Sequence, residues 1–470
     1  MRIVLRDDVE NLGRKGDVVD VADGYARNFL VPRGLAIKAT KGVVEQAEAM
    51  RRNREIVGAS SIEDWLPRYR LTRDGAGGAV QSGRVDCAAV ARPASYSATS
   101  MLTVLTFDLG ATTLGTGDPL TIVADGDVVY GTADSLYVAS DASRLGLLRG
   151  MPDAPPAPGA GVPGRGAVPR EPGGPGSPSD PGGPSPAPQE RTELYKFDTG
   201  GAGRPRHVAS GAVPGSLLNQ YSMSQYDGHL RVATTLGAWT GTTSESTVYV
   251  LDQRGDRLEV AGKVGGLGKG ERIYAVRFIG PVGYVVTFRQ TDPLYVIDLR
   301  NPAAPKVTGE LKITGYSAYL HPGGDGRVIG VGQEASEQGR VQGTQVSLFD
   351  VSEPATPRRV AQYHVPGGSS EAEGDPHAFL YWEPARTLVL PIATYPPNAS
   401  DAGAAAAIVL RVGEAELTEA GRLRQPTPYG PQPIRRSLVV GDTLWTVSEF
   451  GAAATGLAAL DSRAWVAFGR

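Results

Sequence analysis

Cysteine is almost missing from this chain, and histidine is scarce. Cys87 is the only cysteine, so no disulfide can form within one molecule and a cysteine-rich zinc site is excluded. The histidines form neither an H-x-x-x-H nor an H-E-x-x-H pattern, the spacings that place two imidazoles on one helix face around a metal. The sequence therefore predicts no metal centre and no cofactor.

Long apolar runs are also missing. No uninterrupted apolar stretch of about 18 residues occurs, so no membrane-spanning helix is expected. The N-terminal sequence MRIVLRDDVENLGRKG is charged from its second residue and has no apolar core of the kind found in signal peptides. We therefore expect a cytoplasmic protein without a signal peptide and without a membrane partner.

A large excess of charge is missing too, because the formal net charge is −3. Binding of nucleic acid through overall charge is thereby excluded, and any such contact must come from a local patch. The chain is instead rich in glycine (62) and proline (36) among 470 residues. That composition is closer to an all-β protein than to a helical one, and the length predicts two or more domains.

Composition divides the chain into four segments. Residues 151–190 hold 13 Pro and 9 Gly and almost no large apolar side chain, so they cannot bury enough surface to offset the entropy of ordering. We predict a disordered Pro/Gly-rich linker or surface loop at 150–190. The other predicted segments are an N-terminal domain at 1–57 and two β-rich segments at 60–149 and 191–470.

The N-terminal segment alternates short β-patterned runs with glycine turns. One short helical turn is expected at Tyr25–Leu30, and a charged helix from Thr40, a plausible N-cap. Alternation predicts three strands, at Met1–Leu5, Asp17–Val21 and Leu35–Ile37. This is the pattern of a small α+β domain.

Cations and an aromatic ring lie beside these glycine turns. Cations can position against phosphates, and aromatic rings can stack on unpaired bases. The alternative is the ordinary solvated face of a small α+β domain. The candidate RNA contacts are Arg14, Lys15, Arg27, Asn28, Phe29 and Arg33.

A family resemblance favours RNA. The string VADGYARNFLVPRGLAIKAT (21–40), with Gly13 and Gly16 before it, resembles the N-terminal domain of bacterial large-subunit ribosomal protein L9. The resemblance implies a three-stranded antiparallel sheet, a short helix and a long helix leading to a second domain. It implies binding to large-subunit rRNA through Arg14, Lys15, Tyr25, Arg27, Asn28, Phe29 and Arg33, and it makes Gly13, Gly16, Gly24 and Gly34 structural glycines. Phe29 and Leu30 are at least as well suited to the core.

This resemblance covers only residues 1–55. The long helix of the family should continue further, but here Gly58 and the following S-S-I pattern are expected to interrupt it. Nothing downstream resembles the second domain of that family.

The rest of the chain contains an internal repeat. The stretches 283–313 and 327–365 each hold an apolar strand, a second strand ending in Asp-Leu or Asp-Val, a Pro-x-x-Pro turn and a third strand. Weaker copies lie at 134–200, 227–264, 386–423 and 442–461. A period of about 45–50 residues with three or four short strands is typical of β-propeller blades. A β-sandwich and a β-solenoid are the alternatives.

The amino-acid sequence of about residues 60–470 is similar to that of secreted or envelope-linked β-propeller proteins of bacteria and archaea. The similarity lies in EDWLPRY (63–69), MLTVLTFDL (101–109), DSLYVAS (134–140), 266–299, GYSAYLHP (315–322) and SSEAEGDPHAFLYW (369–382). Members of that family normally begin with a signal sequence and further blades, and 101–125 looks like the outer half of a blade. We therefore expect a mainly-β domain that is an incomplete, N-terminally truncated β-propeller with unpaired strand edges.

One segment of the propeller concentrates polar chemistry. Glu371, Glu373, Asp375 and His377 could bind a cation or serve acid–base catalysis. The alternative is a polar loop at a blade edge. GGLGKGER (265–272) lacks the strand-to-helix context of a phosphate loop, and no Gly-x-Ser-x-Gly elbow occurs. We therefore expect no enzyme.

Four hypotheses remain at this point. The preferred one is a structural, rRNA-binding component of the large ribosomal subunit with an appended propeller whose ligand is unknown. The second is a propeller interaction module of envelope origin in a gene fusion. A hydrolase-like propeller that uses Glu371 to His377 is the third. The fourth is an erroneous reading frame joined near residues 56–62, which reading the DNA across that junction would test.

Overall fold

The structure, a computed structural model, divides into two compact units. Unit 1 comprises residues 1–90 and 107–121, and unit 2 comprises residues 91–106 and 122–470. The residues that it describes are 1–5, 9, 11–13, 17–31, 35–39, 43, 48, 52, 58–73, 78–93, 100–113, 115–141, 190–201, 203–237, 243–288, 292–336, 339–394, 404–426 and 432–468.

Unit 1 begins with the predicted three-stranded antiparallel sheet. Its strands are β1 (Arg2–Leu5), β2 (Val18–Asp20) and β3 (Ala36–Lys38), in the order β2-β1-β3. The chain between β2 and β3 forms α1 (Asp23–Tyr25), which continues as a π-helical turn, Ala26–Leu30. This α+β arrangement confirms the fold predicted for the N-terminal domain.

A small apolar core holds this sheet and helix together. The central strand β1 contributes Ile3 and Leu5, which are 0% and 1% exposed. Ala26 and Leu30 pack on them from the helical turn, and Ala36 from β3. Each large side chain buried in this way stabilises the fold by about 1.5–3 kcal/mol, which is why the apolar positions decide the register.

The helix predicted from Thr40 lies mostly outside the described residues. Val43, Glu48, Arg52, Gly58 and Ala59 are described, and all five are helical. Ser60 and Ser61 are not helical, and the next helix begins at Ile62. The helix therefore ends directly after Gly58 and Ala59, at the S-S-I pattern, as predicted.

The remaining elements of unit 1, and those at its boundary with unit 2, are short. The helices are α2 (Ile62–Trp65) and a 3-10 turn at Cys87–Ala89, and the strands are β4 (Arg68–Thr72), β5 (Val80–Arg84), β6 (Val90–Ala91), β7 (Leu102–Val104) and β8 (Leu120–Ile122). Ser61 caps α2 by a capping box with Asp64, which explains why a helix this short forms.

Unit 2 is built from six consecutive groups of antiparallel strands, here named blades 1–6. Blades 3, 4 and 6 are separate four-stranded sheets and blade 5 has five strands, whereas blades 1 and 2 are joined edge to edge, through one parallel strand pair, into an eight-stranded sheet. Blade 1 contains β9 (Val128–Gly131), β10 (Ser135–Asp141), β11 (Arg191–Asp198) and β12 (Arg206–Pro214), and blade 2 contains β13 (Met223–Tyr226), β14 (His229–Leu236), β15 (Glu245–Arg254) and β16 (Arg257–Leu267). Blade 3 contains β17 (Arg272–Ile279), β18 (Val282–Phe288), β19 (Asp292–Asp298) and β20 (Lys306–Ile313), and blade 4 contains β21 (Tyr316–Gly324), β22 (Arg327–Ala335), β23 (Val341–Asp350) and β24 (Arg358–Pro366). Blade 5 contains β25 (Gly368–Ser369), β26 (Leu380–Trp382), β27 (Thr387–Thr394), β28 (Ala404–Val412) and β29 (Leu417–Leu423), and blade 6 contains β30 (Arg436–Val440), β31 (Thr443–Val447), β32 (Gly451–Gly456) and β33 (Ser462–Ala467). Short 3-10 turns lie at Gln220–Ser222, Glu371–Glu373, Pro376–Ala378 and Glu383–Ala385.

Each blade packs against the next through a continuous apolar core. Middle strands such as β27 are buried along most of their length, because both faces of the sheet are covered, and they read as apolar runs rather than as alternation. Between blades 4 and 5 the core contains Leu348 and Leu388, both 0% exposed. Similar clusters join the other neighbouring blades. This confirms the predicted β-propeller architecture.

The Pro/Gly-rich segment connects two paired strands of one blade. β10 ends at Asp141 and β11 begins at Arg191, and Asp141 pairs directly with Thr192. The chain between these ends lies outside the described residues, apart from Glu190. Because its two ends meet in one hairpin, the segment is an insertion within blade 1.

No helix among the described residues is long and apolar enough to cross a bilayer.

Candidate functional site

The first candidate site lies on the helical turn of unit 1. Tyr25 is 42% exposed, and its ring stacks on that of Phe29, with ring centroids 5.2 Å apart and planes 13° from parallel. Arg27 is exposed between them in sequence. The turn therefore presents an aromatic face and a guanidinium to the solvent.

Phe29 and Leu30 differ in burial, which bears on whether each packs in the core or can contact RNA. Leu30 is fully buried in the core, whereas Phe29 is half-buried and packs on that core with one part of its ring. Phe29 thus supports the exposed ring of Tyr25 rather than standing free. A stack of this kind holds a surface ring in one orientation, which favours stacking on a base.

Several of the predicted RNA contacts lie outside the described residues. These contacts are Arg14, Lys15, Arg33 and the side chain of Asn28. The structural glycines Gly16 and Gly34 also lie outside the described residues. The structure therefore places Tyr25, Arg27 and Phe29 together on one turn, and the assignment of all seven residues as RNA contacts stays a prediction.

The two described glycines of the motif, Gly13 and Gly24, differ in how far the folded chain favours glycine at their positions. Gly13 has φ +153°, and a Cβ there would lie 3.0 Å from Oδ2 of Asp17 and 3.1 Å from Cδ1 of Leu5. Gly24 lies within α1, has no positive φ, and would find nothing within 4 Å of an added Cβ. The folded chain therefore does not itself require glycine at position 24, since an alanine would fit there.

The amino terminus and Asp23 form an ion pair beside the turn. The amino group of Met1 donates to the carbonyl of Val21 at 2.6 Å and lies 3.0 Å from a carboxylate oxygen of Asp23. The hydrogen bond and the charge of this amino group lower the pKa of Asp23, and Arg27 adds to the effect. Asp23 is thus paired with the amino terminus, and the side chain of Arg27 stays exposed to the solvent.

The second candidate, the acidic segment of blade 5, is an ion-pair network. Asp375 accepts from Arg436 at 2.7 Å and lies 2.9 Å from Nδ1 of His377. Glu371 accepts from Arg435 at 2.9 Å. Both arginines precede or begin the first strand of blade 6, so the network joins two blades.

Glu373 is turned away from that network. Its carboxylate accepts from the side-chain amide of Gln333 in blade 4 and from the backbone of Ser370, and burial raises its pKa. Within the described part of the chain, no group of three or more His, Cys, Asp or Glu side chains is arranged to hold a metal. The segment is therefore accounted for by packing between blades.

A third set of residues was missed by the sequence analysis. It lies on or beside the first strands of blades 2 to 5, and we name it the first-strand cluster. Its members are Tyr221, Arg277, Tyr319, His321, Phe379 and Tyr381. The sequence held a signal for this cluster, because aromatic residues recur near the start of blades 2 to 5, but a repeat does not show that these positions meet.

Comparison with known proteins gives a match for each part of the chain. Residues 27–460 match the family model described as beta propeller domain, and residues 1–47 match the model described as ribosomal protein L9, N-terminal domain. A large ribosomal subunit protein bL9 of Halothermothrix orenii is 48% identical over 64 residues, covering 14% of this chain and 44% of that protein.

The propeller part has archaeal relatives. An uncharacterized protein of Methanocaldococcus jannaschii is 48% identical over 185 residues, which cover 39% of this chain but 28% of that protein. The chain thus spans less than half the length of either of these relatives. Among solved structures, Sqt1 of Saccharomyces cerevisiae matches with a TM-score of 0.35 and 8% identity, covering 59% of this chain and 69% of that one.

Proposed function

The chain belongs to the beta propeller domain family, and because its first 47 residues match the N-terminal domain of ribosomal protein L9, we propose that it binds large-subunit rRNA through unit 1. In this proposal the protein is a structural, non-enzymatic, ribosome-associated component of the cytoplasm, and the blades are appended to an RNA-binding head. The observation that carries the proposal is the match over residues 1–47 together with the three-stranded sheet that they form.

The exposed turn supports this proposal chemically. Arg27 can pair with a phosphate, and the stacked rings of Tyr25 and Phe29 offer a flat surface to an unpaired base. Gly24 precedes them with open space around its Cα. Since the folded chain itself leaves that space empty, a nucleic-acid backbone can approach there closely.

Co-sedimentation of the full chain with purified large subunits, over a series of salt concentrations, tests the proposal. Arg27→Ala should weaken binding and reduce the slope of log K against log salt by about 0.7–0.9 for the one lost phosphate contact. Lys38→Ala is the matched control, because Lys38 is exposed on β3 and outside the predicted set. Failure of the unaltered protein to sediment with large subunits would refute the proposal.

A second candidate function rests on the share of the chain that the blades occupy. The propeller model covers residues 27–460, so a role as a binding module for a partner of the blades is the alternative. In that case the protein would not bind large subunits, and it would bind a partner of the blades equally well with and without Arg27.

A further inference from the structure

The first strands of blades 2 to 5 bring aromatic rings into one group. Tyr221, beside β13, lies 5.6 Å from Tyr319 of β21, centroid to centroid. Phe379, which precedes β26, lies 5.2 Å from Tyr319 and 4.9 Å from His321. Tyr381 of β26 closes the group at 5.8 Å from His321. These contacts give the first-strand cluster a rigid apolar wall.

A single guanidinium faces this wall. The Cζ atom of Arg277, on β17 of blade 3, lies 4.5 Å from the ring centroid of Tyr221, and the side chain is half-buried. Among the described residues, no hydrogen bond or ion pair joins Arg277 to an acceptor. By contrast, Arg435 and Arg436 each pair with a carboxylate. Arg277 therefore keeps its donors available.

Two further polar groups of the cluster, His321 and Tyr319, lie in contact with each other. Nδ1 of His321 lies 2.9 Å from the hydroxyl of Tyr319. Burial, and next the charge of Arg277, lower the pKa of His321 to about 4. Burial likewise raises the pKa of Tyr319 above its ordinary range. The cluster thus carries one fixed positive charge near neutral pH, and a half-buried charge is stabilised by a partner of opposite sign.

We propose that the first-strand cluster binds a small oxyanion, a carboxylate or a phosphate, through the guanidinium of Arg277. The planar fork of arginine matches two oxygens of either group. Tyr221 holds the guanidinium in place from one side, and the hydroxyl of Tyr319 and the imidazole of His321 supply neutral hydrogen-bonding groups. This site belongs to the propeller and does not depend on the proposed binding of rRNA.

Titration calorimetry of the full chain with sodium phosphate and, separately, sodium acetate at constant ionic strength tests the proposal. At least one of them should bind saturably with one site per chain, and Arg277→Gln should weaken that binding at least tenfold. Saturation by phosphate alone identifies a phosphate ligand, and saturation by acetate alone a carboxylate ligand. If neither anion saturates, the proposal is overturned.

Two control variants separate this site from other cations. Arg386→Gln removes an exposed arginine that already pairs with Asp325 at 3.2 Å, and Arg27→Gln removes the predicted RNA contact of unit 1. Both should bind the anion as the unaltered protein does. An equal loss in Arg386→Gln would mean unspecific charge screening, and a loss only in Arg27→Gln would place the anion on the RNA surface; either result overturns the proposal.

A measurement on the unaltered protein covers the case in which Arg277→Gln does not fold. Phenylglyoxal modifies accessible arginines, and the modified positions can be read by mass spectrometry. The bound anion should slow modification of Arg277 at least tenfold and leave that of Arg386 unchanged. Equal rates at Arg277 with and without the anion would contradict the proposal.

Discussion

At the scale of single residues, Gly13 and Gly24 show how one motif can have two causes. The fold favours glycine at position 13, because L side chains rarely adopt its φ of +153° and an added Cβ would crowd Leu5 and Asp17. Gly24 has a helical backbone and open space. The proposed RNA partner, if it approaches this surface, would give glycine at position 24 a reason that the folded chain does not supply.

Gly24→Ala should separate folding from binding. Removing a glycine from a helical position should leave the free energy of unfolding unchanged or raise it by about 0.5–1 kcal/mol. Affinity for large subunits should fall about tenfold, or ~1.4 kcal/mol, because the methyl group occupies the approach path. Gly58→Ala is the control, since Gly58 is also helical with open space. Equal affinities in the two variants would contradict this role of Gly24.

His321 should make the propeller sensitive to acid. Its pKa in the fold is about 4, against an ordinary value of 6.5, because burial disfavours the charged ring. The unfolded chain therefore binds more protons in this window, so stability is fully present above pH 6.5 and declines as the pH falls toward 4. At about 1.36 kcal/mol per pKa unit, the loss is on the order of 3 kcal/mol.

Urea unfolding at pH 7 and pH 4.5, in amine buffers with chloride as the counterion, measures this effect. His321→Gln lacks the titrating ring and should lose less stability over the same interval. Carboxylates elsewhere titrate equally in both proteins, so only the difference between them reports on His321. An identical loss in the two proteins would show that His321 is not the source.

At the scale of elements, the contacts between blades are of two kinds. Leu348 of blade 4 is fully buried against blade 5. Arg436 of blade 6 reaches Asp375 of blade 5, but the arginine side chain is 44% exposed. Apolar burial is worth more than a solvent-screened ion pair, so we expect the first kind to hold the blades together.

The two contacts should differ clearly on substitution. Leu348→Ala should lower the free energy of unfolding by about 2–5 kcal/mol, whereas Arg436→Ala should lower it by at most about 1 kcal/mol. Thermal and urea unfolding of both variants give the comparison. A larger loss in Arg436→Ala would contradict the expectation that apolar burial contributes more than ion pairs to the contacts between blades.

Elements were also the scale at which sequence patterns predicted most. Apolar runs ending in Asp-Leu or Asp-Val were predicted as strands, and they form β19 and β23 at the middle of blades 3 and 4. The three strands of the N-terminal sheet were predicted within one residue of their bounds. The interruption predicted at Gly58 and the S-S-I pattern is also found, since helical residues end at Ala59 and Ser60 and Ser61 are not helical.

At the scale of the whole molecule, the two units should respond to ribosomal RNA differently. A ligand protects the part of the chain to which it binds. Hydrogen exchange of the full chain with and without large subunits should therefore show added protection within residues 1–57 and none in the strands of blades 1–6. Protection confined to the blades would instead support the propeller as the ribosome-binding part.

The sequence by itself determined the local patterns of this protein: the α+β head with its glycine-bounded turns, the blade repeat, and the aromatic and basic residues of the turn at Tyr25 to Phe29. These patterns depend on neighbours two to four positions away, or on one repeat compared with the next. Only the tertiary structure decided which distant groups meet. It paired β10 with β11 across the Pro/Gly-rich insertion, neutralised the acidic segment of blade 5 with arginines of blade 6, and gathered the first-strand cluster around Arg277. Such contacts join residues about 50 or more positions apart, and their geometry follows from how whole blades pack, which no local pattern encodes.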